Sequence, residues 1–262
     1  MISTLPGRAG RKDVMDPYEQ PLRRLHLDGA FNVRDLGGYP TVNGGFTNHR
    51  RFLRADGLGR LSKWDAKLLR SYGVSAVLDL RDEAESQQLP NVSLGKDVLC
   101  ANVPLLGFNA ADMEQLEKMF AADEFDLTYV YGRILENYEG IRACFKFIAD
   151  APEGCVLFHC AAGKDRTGIL AMLLLSLAGV DKWDIVSDYV QSWPNLMRDE
   201  AFREDWLDSS KGTFRQGMRS DPQTISYAID LIDYDHGGVE GYLLECGVSD
   251  DEVALVRQRL LA

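Results

Sequence analysis

One stretch, VLFHCAAGKDRTG at residues 156–168, limits the possible folds more than any other. CVLFH over 155–159 is an apolar run of strand length, and TGILAMLLLSLAGV from residue 167 is apolar on nearly every helical face, so both belong in an interior. Cys160 to Asp165 must turn between them, with Gly163 supplying backbone conformations closed to other residues. A buried strand that passes through a tight loop into a buried helix fits an α/β sandwich with a largely parallel sheet. In such sheets ligands sit beyond the carboxyl ends of the strands, where this loop lies.

The remaining pattern agrees. RFLRA (51–55) reads as a short strand, LSKWDAKLLRSYG (61–73) as a helix capped by Ser62 and stopped by Gly73, and VSAVLDL (74–80) and DVLCANVPL (97–105) as further strands. A long helical stretch is expected from about Thr128 to Asp150. After Gly179 about four helical stretches follow, rich in tryptophan, acids and arginine, the last opened by a capping box of Ser249 and Glu252. Residues 1–20 are polar and aperiodic, a mobile arm on this reading. Residues 21–262 are expected to form one domain, whose helical section at about 181–245 either covers the site as a lid or simply packs.

Composition narrows the partners. With 262 residues, 45% of them hydrophobic, the chain can bury a core without disulfides or a structural metal. A net charge of −11 gives no global attraction to nucleic acid or an anionic membrane, so any anionic ligand must be captured locally. The five cysteines read as reduced thiols, and the longest apolar run is too short to span a bilayer. The N-terminal stretch lacks the apolar core of a signal peptide, so a cytoplasmic location is expected, with leaderless secretion left open. The four histidines are scattered and no Cys-x-x-Cys pair exists, so neither a metal nor another cofactor is called for. Oligomeric state is not readable from these features.

The loop carries the chemistry. A turn leading into a helix start presents unpaired N–H groups and the positive end of the helix dipole, an anion site built from Ala161, Ala162, Gly163, Lys164, Asp165 and Arg166. That field should hold the Cys160 thiol well below its free pKa of about 8.5 and make it a nucleophile. Arg166 can grip two phosphoryl oxygens in a bidentate fork. Attack of Cys160 on phosphorus would give a phosphocysteine that water then hydrolyses. Asp165, by adjacency, and Asp82, in LDLRDEAE after a predicted strand, are the candidate general acids. Lys164 either favours substrates bearing more than one phosphate or is an ordinary solvated lysine. His159 either orients the loop by hydrogen bonding or merely ends the strand.

Cys160 and Arg166, separated by five residues in HCAAGKDRTG, resemble the signature of the cysteine-dependent protein phosphatases. FNVRDLGGYPT (31–41) and VLDLRDEAE (77–85) are similar to segments of the atypical bacterial tyrosine and dual-specificity phosphatases, and the likeness runs in order from about residue 25 to the C-terminus. The resemblance implies a four- or five-stranded sheet with helices on both faces, Cys160 as nucleophile and Arg166 as phosphate binder. It also implies phosphorylated protein substrates and, with a lysine at 164, sometimes phosphoinositides. Asn32, Arg34 and Asp35 match an early motif of that family and are expected to brace the site, while Gly37 and Gly38 serve a turn. SWPN at 192–195 places Asn195 where a WPD-type loop needs an acid, so the acid role is not transferred there.

Two rival classes share part of this pattern. Sulfurtransferase-like proteins and oxyanion reductases also carry a loop cysteine, and a phosphate-binding module would use the same amides without turnover. The Cys160–Arg166 spacing separates the phosphatase reading from both. Cys155 or Cys100 as a redox partner for Cys160 is a further idea, against which a structural role is the simpler reading for both.

Overall fold

The structure, a computed structural model, describes residues 23–208 and 213–261. The arm expected over 1–20 lies outside the described residues. Five strands, β1 (Arg34–Asp35), β2 (Phe52–Ala55), β3 (Val74–Asp79), β4 (Leu99–Asn102) and β5 (Cys155–His159), form one sheet in the order β1-β2-β5-β3-β4. Only the β1–β2 pairing is antiparallel.

Side-chain alternation along the inner strands builds two cores. Phe52, Ala76, Leu78, Val156 and Phe158 face one apolar cluster, whereas Leu53, Val77, Cys155 and Leu157 face the other. Strands buried on both faces read as continuous apolar runs, which is why CVLFH and VSAVLDL stand out in the sequence. On the second face packs α1 (Lys63–Tyr72). Its Ser62 side chain accepts from Asp65 N at 3.1 Å, Asp65 accepts in return from Ser62 N at 2.9 Å, and Gly73 ends it at φ 107°, as expected.

Beyond β3 and β4 come α2 (Glu83–Gln88), α3 (Ala110–Ala122), α4 (Leu127–Leu135) and α5 (Tyr138–Asp150). The single helix expected over 128–150 is thus two. Asn137 divides them: its side chain caps α5 by accepting from Gly140 N at 3.0 Å and donates to Leu105 O at 3.2 Å. Helix α3 escaped the sequence reading because it lies on the surface and buries only Asp112 and Leu116, too few apolar positions to set a period.

After β5 runs α6 (Asp165–Leu177), buried from Arg166 through Leu175. Then follow α7 (Lys182–Val190), α8 (Ser192–Leu196), α9 (Glu200–Asp208), α10 (Thr213–Gly217), α11 (Pro222–His236), α12 (Val239–Glu245) and α13 (Asp250–Leu261). Four expected stretches are seven described helices. The Ser249–Glu252 capping box is present at the start of α13. Among the described residues no helix is long and apolar enough to cross a membrane.

Candidate active site

Register places the site. Ala55, His159 and Asp79 lie side by side at the carboxyl ends of β2, β5 and β3, so the residues that follow each of them converge. Asp56 and Gly57 come from β2, Arg81 and Asp82 from β3, and the Cys160–Lys164 loop from β5. Above this edge opens a cleft of about 600 Å³, with Ala161 and Ala162 in its floor, Glu85 and Leu89 on one wall, and Phe202 and Asp205 of α9 on another. Cys160, next in the chain to the cleft-lining Ala161, is itself buried, 2% exposed.

The scaffold grips the loop by its carbonyls. His159 Nδ1 is 3.1 Å from Cys160 O, and Gly57 N donates to Ala161 O at 2.8 Å. Asn32 Nδ2 donates to Ala162 O and Gly163 O, both at 3.0 Å, and Arg54 Nη2 donates to Gly163 O at 2.8 Å. With four successive carbonyls held from the scaffold side, the loop's amides and the α6 N-terminus are the groups left to meet an anion. Gly163 makes the turn at φ 65°, and a Cβ there would sit 2.4 Å from Ala55 O, so glycine is required on both counts.

His159 thus contacts the loop in addition to ending the strand. A carbonyl only accepts, so Nδ1 is the donor and Nε2 accepts from Asn91 Nδ2 at 3.0 Å. Burial pushes this imidazole down to about 4, against the pull of Asp79, which favours the neutral tautomer that the two contacts need.

Asn32 and Arg34 lie together behind the loop. Arg34 Nη1 donates to Asn32 Oδ1 at 2.6 Å, and its Nε donates to Asp188 Oδ1 at 2.8 Å. Asp188 also receives Arg54 Nη1 at 2.5 Å and the Tyr39 hydroxyl at 3.0 Å. Although burial opposes it, the two guanidiniums hold Asp188 ionised far below the usual carboxylate range. Asp35 is not brought to the loop. It accepts from Gly37 N and Arg50 N, both at 2.7 Å, and from the Tyr72 hydroxyl, fixing the turn behind β1.

Arg166 reaches Glu85 with both terminal nitrogens, Nη2 to Oε1 at 2.9 Å and Nη1 to Oε2. Burial works against its charge, but Glu85, Cys160 and Asp82 more than offset that and raise its pKa. Glu85 is correspondingly lowered by its hydrogen bonds from Arg166. Asp82, at the start of α2, is raised by burial while the Arg166 charge pulls it down. Asp165 Oδ1 accepts from the Tyr131 hydroxyl at 2.9 Å and lies 3.1 Å from Lys164 Nζ.

Lys164 is no solvated lysine. It is 4% exposed, and its ammonium donates to Gly217 O at 2.6 Å and Arg219 O at 3.2 Å. Asn195 is also close, donating weakly to Asn32 Oδ1 at 3.4 Å. The redox partners fall away on geometry: Cys155 lies five residues back along extended chain, roughly 16 Å, and Cys100 is two strands away at the level of Leu157.

Arg54, Asp188, Glu85, Asp56 and Tyr131 were missed by sequence reasoning. Glu85 had a usable signal, since Asp82 and Glu85 have the D-x-x-E spacing of a helix start. Arg54 had a fainter one, as a charge inside an otherwise apolar strand. Nothing local distinguishes Asp188 from the other acids of its helix. Asp56, which accepts from Phe31 N at 2.8 Å and Asn32 N at 2.9 Å, is raised to about 6 by burial against those hydrogen bonds.

The family model of the tyrosine phosphatase family matches residues 25–262. The chain is similar to a tyrosine-protein phosphatase of Nostoc commune, 33% identical over 220 residues that span 80% of this chain and 74% of that one. It is also similar to the triple specificity protein phosphatase PtpB of Mycobacterium tuberculosis, 27% identical over 274 residues that span 90% and 98% of the two chains.

Proposed function

Because the chain belongs to the tyrosine phosphatase family, whose members hydrolyse phosphate monoesters, we propose that its own chemistry runs through a phosphocysteine at Cys160. The observation that carries this reading is the loop with four carbonyls clamped from behind and Arg166 at its far end. A phosphoryl group placed there meets amide N–H groups and a guanidinium on its equatorial oxygens. The Cys160 sulfur attacks phosphorus as the bond to the leaving oxygen breaks, and that oxygen takes a proton from Asp165. Water then attacks the phosphocysteine, returns a proton to Asp165, and releases inorganic phosphate.

Asp165 is preferred to Asp82 because it belongs to the loop itself, so its place beside the phosphoryl group follows from adjacency, although the Tyr131 hydroxyl and the Lys164 ammonium on its Oδ1 favour the ionised form. Asp82 stays the second candidate, and asparagine variants of both, compared on good and poor leaving groups, decide between them. The substrates proposed are phosphorylated proteins, tyrosine foremost, with serine, threonine and phosphoinositide phosphates as a wider range, and one relative is named for triple specificity. Against phosphoinositides, the Lys164 ammonium already spends its donors on Gly217 O, Arg219 O and Asp165. A second phosphate would have to displace the 217–219 segment. Helix α9, with Leu196 and Asp199 before it, is the part of the helical section proposed to act as a lid over the cleft, and the cytoplasm is the proposed location.

Cys160→Ser tests the reading. Hydrolysis of p-nitrophenyl phosphate and of a phosphotyrosine peptide should fall to background in the variant while the peptide still binds, and vanadate should inhibit the wild type in the presence of EDTA. Turnover that survives the substitution overturns the mechanism.

A further inference from the structure

We propose that Glu85 is a positioning residue for Arg166, fixing which edge of the guanidinium meets the phosphoryl group; this rests on the function proposed above. Glu85 sits in the first turn of α2, and its Oε2 accepts from Asp82 N at 2.9 Å, so the carboxylate is itself held by the helix start. From there both of its oxygens engage the two terminal nitrogens of Arg166. A guanidinium has five N–H groups in a rigid plane. Occupying the end-on edge leaves the other edge, Nε–H with the second Nη2–H, to take two phosphoryl oxygens. Without Glu85, Arg166 would be a long side chain with several rotamers beside the cleft.

Charge alone argues the other way, and that makes the role separable. A carboxylate beside an anion site repels the incoming phosphate, so a purely electrostatic view predicts tighter binding and no lost turnover when it is neutralised. Positioning predicts lost turnover with little change in binding, because orientation matters most as charge redistributes in the transition state.

Glu85→Gln keeps an acceptor for Asp82 N but removes the charge and half of the fork. Its kcat for p-nitrophenyl phosphate should fall on the order of a hundredfold, with KM moving by less than about threefold. Glu85→Asp, which keeps the charge but withdraws it by one methylene, should show the same split. In an Arg166→Lys background, Glu85→Gln should add less than about threefold, since residues that act as a unit are not additive. Melting temperatures identify any variant that fails to fold, and the other one then carries the test. Equal losses in both backgrounds, or unchanged kcat in Glu85→Gln or Glu85→Asp, overturn the inference. A wild type without phosphatase turnover would instead overturn the proposed function itself.

Discussion

His159 shows how much one side chain in a strand-ending position controls. Its neutral ring donates to a loop carbonyl with one nitrogen and accepts from Asn91 with the other, so gaining a proton would break the second contact. The folded protein holds its pKa at about 4, below the unfolded value of about 6.5. Its contribution to stability is therefore complete above about pH 6.5 and is lost as pH falls through about 4. Asp56 has the opposite sign: folded at about 6, above its unfolded value, it contributes stability at low pH that is lost as pH rises through about 6. Carbon–proton NMR of the ring between pH 4 and 7 should find His159 neutral down to below pH 5. A midpoint near 6.5 would contradict the hydrogen-bonded arrangement. The sequence left this role open because the ring's partners, Asn91 and Asp79, come from other strands and loops.

At the scale of elements, legibility followed periodicity and capping. Helix α1 is readable to the residue because Ser62 and Gly73 are unambiguous stops, and β5 and α6 because they are buried on all sides. The division at Asn137 was not, since a single capping side chain decides between one helix and two. Helix α7 packs inward and delivers Asp188 into the core between Arg34 and Arg54, and among the described residues of the 181–245 section those that line the cleft are Leu196, Asp199, Ala201, Phe202 and Asp205. Asp188→Ala would leave two buried guanidiniums without their shared counter-ion. It should destabilise the fold by about 3–5 kcal/mol, because an uncompensated buried charge costs more than the pair contributes. Chemical denaturation measures this, and a loss below about 1 kcal/mol would show that water or another acid replaces it.

For the whole molecule, the parallel register is the organising fact. It lines up the ends of β2, β3 and β5, and so brings segments more than a hundred residues apart in sequence to one edge. Cys160, Arg166 and the turn between them were legible because adjacency in sequence places them. The clamp from Asn32 and Arg54, and the Glu85 fork, depended on that long-range register and were only partly visible beforehand. The proposed chemistry requires the loop to act as a phosphoryl cradle with sulfur as the attacking atom. Acid quenching during turnover of a substrate labelled in its phosphoryl group, followed by peptide mapping, tests it most directly. The label should be recovered on the peptide that carries Cys160, and turnover with no label on that residue would contradict the account.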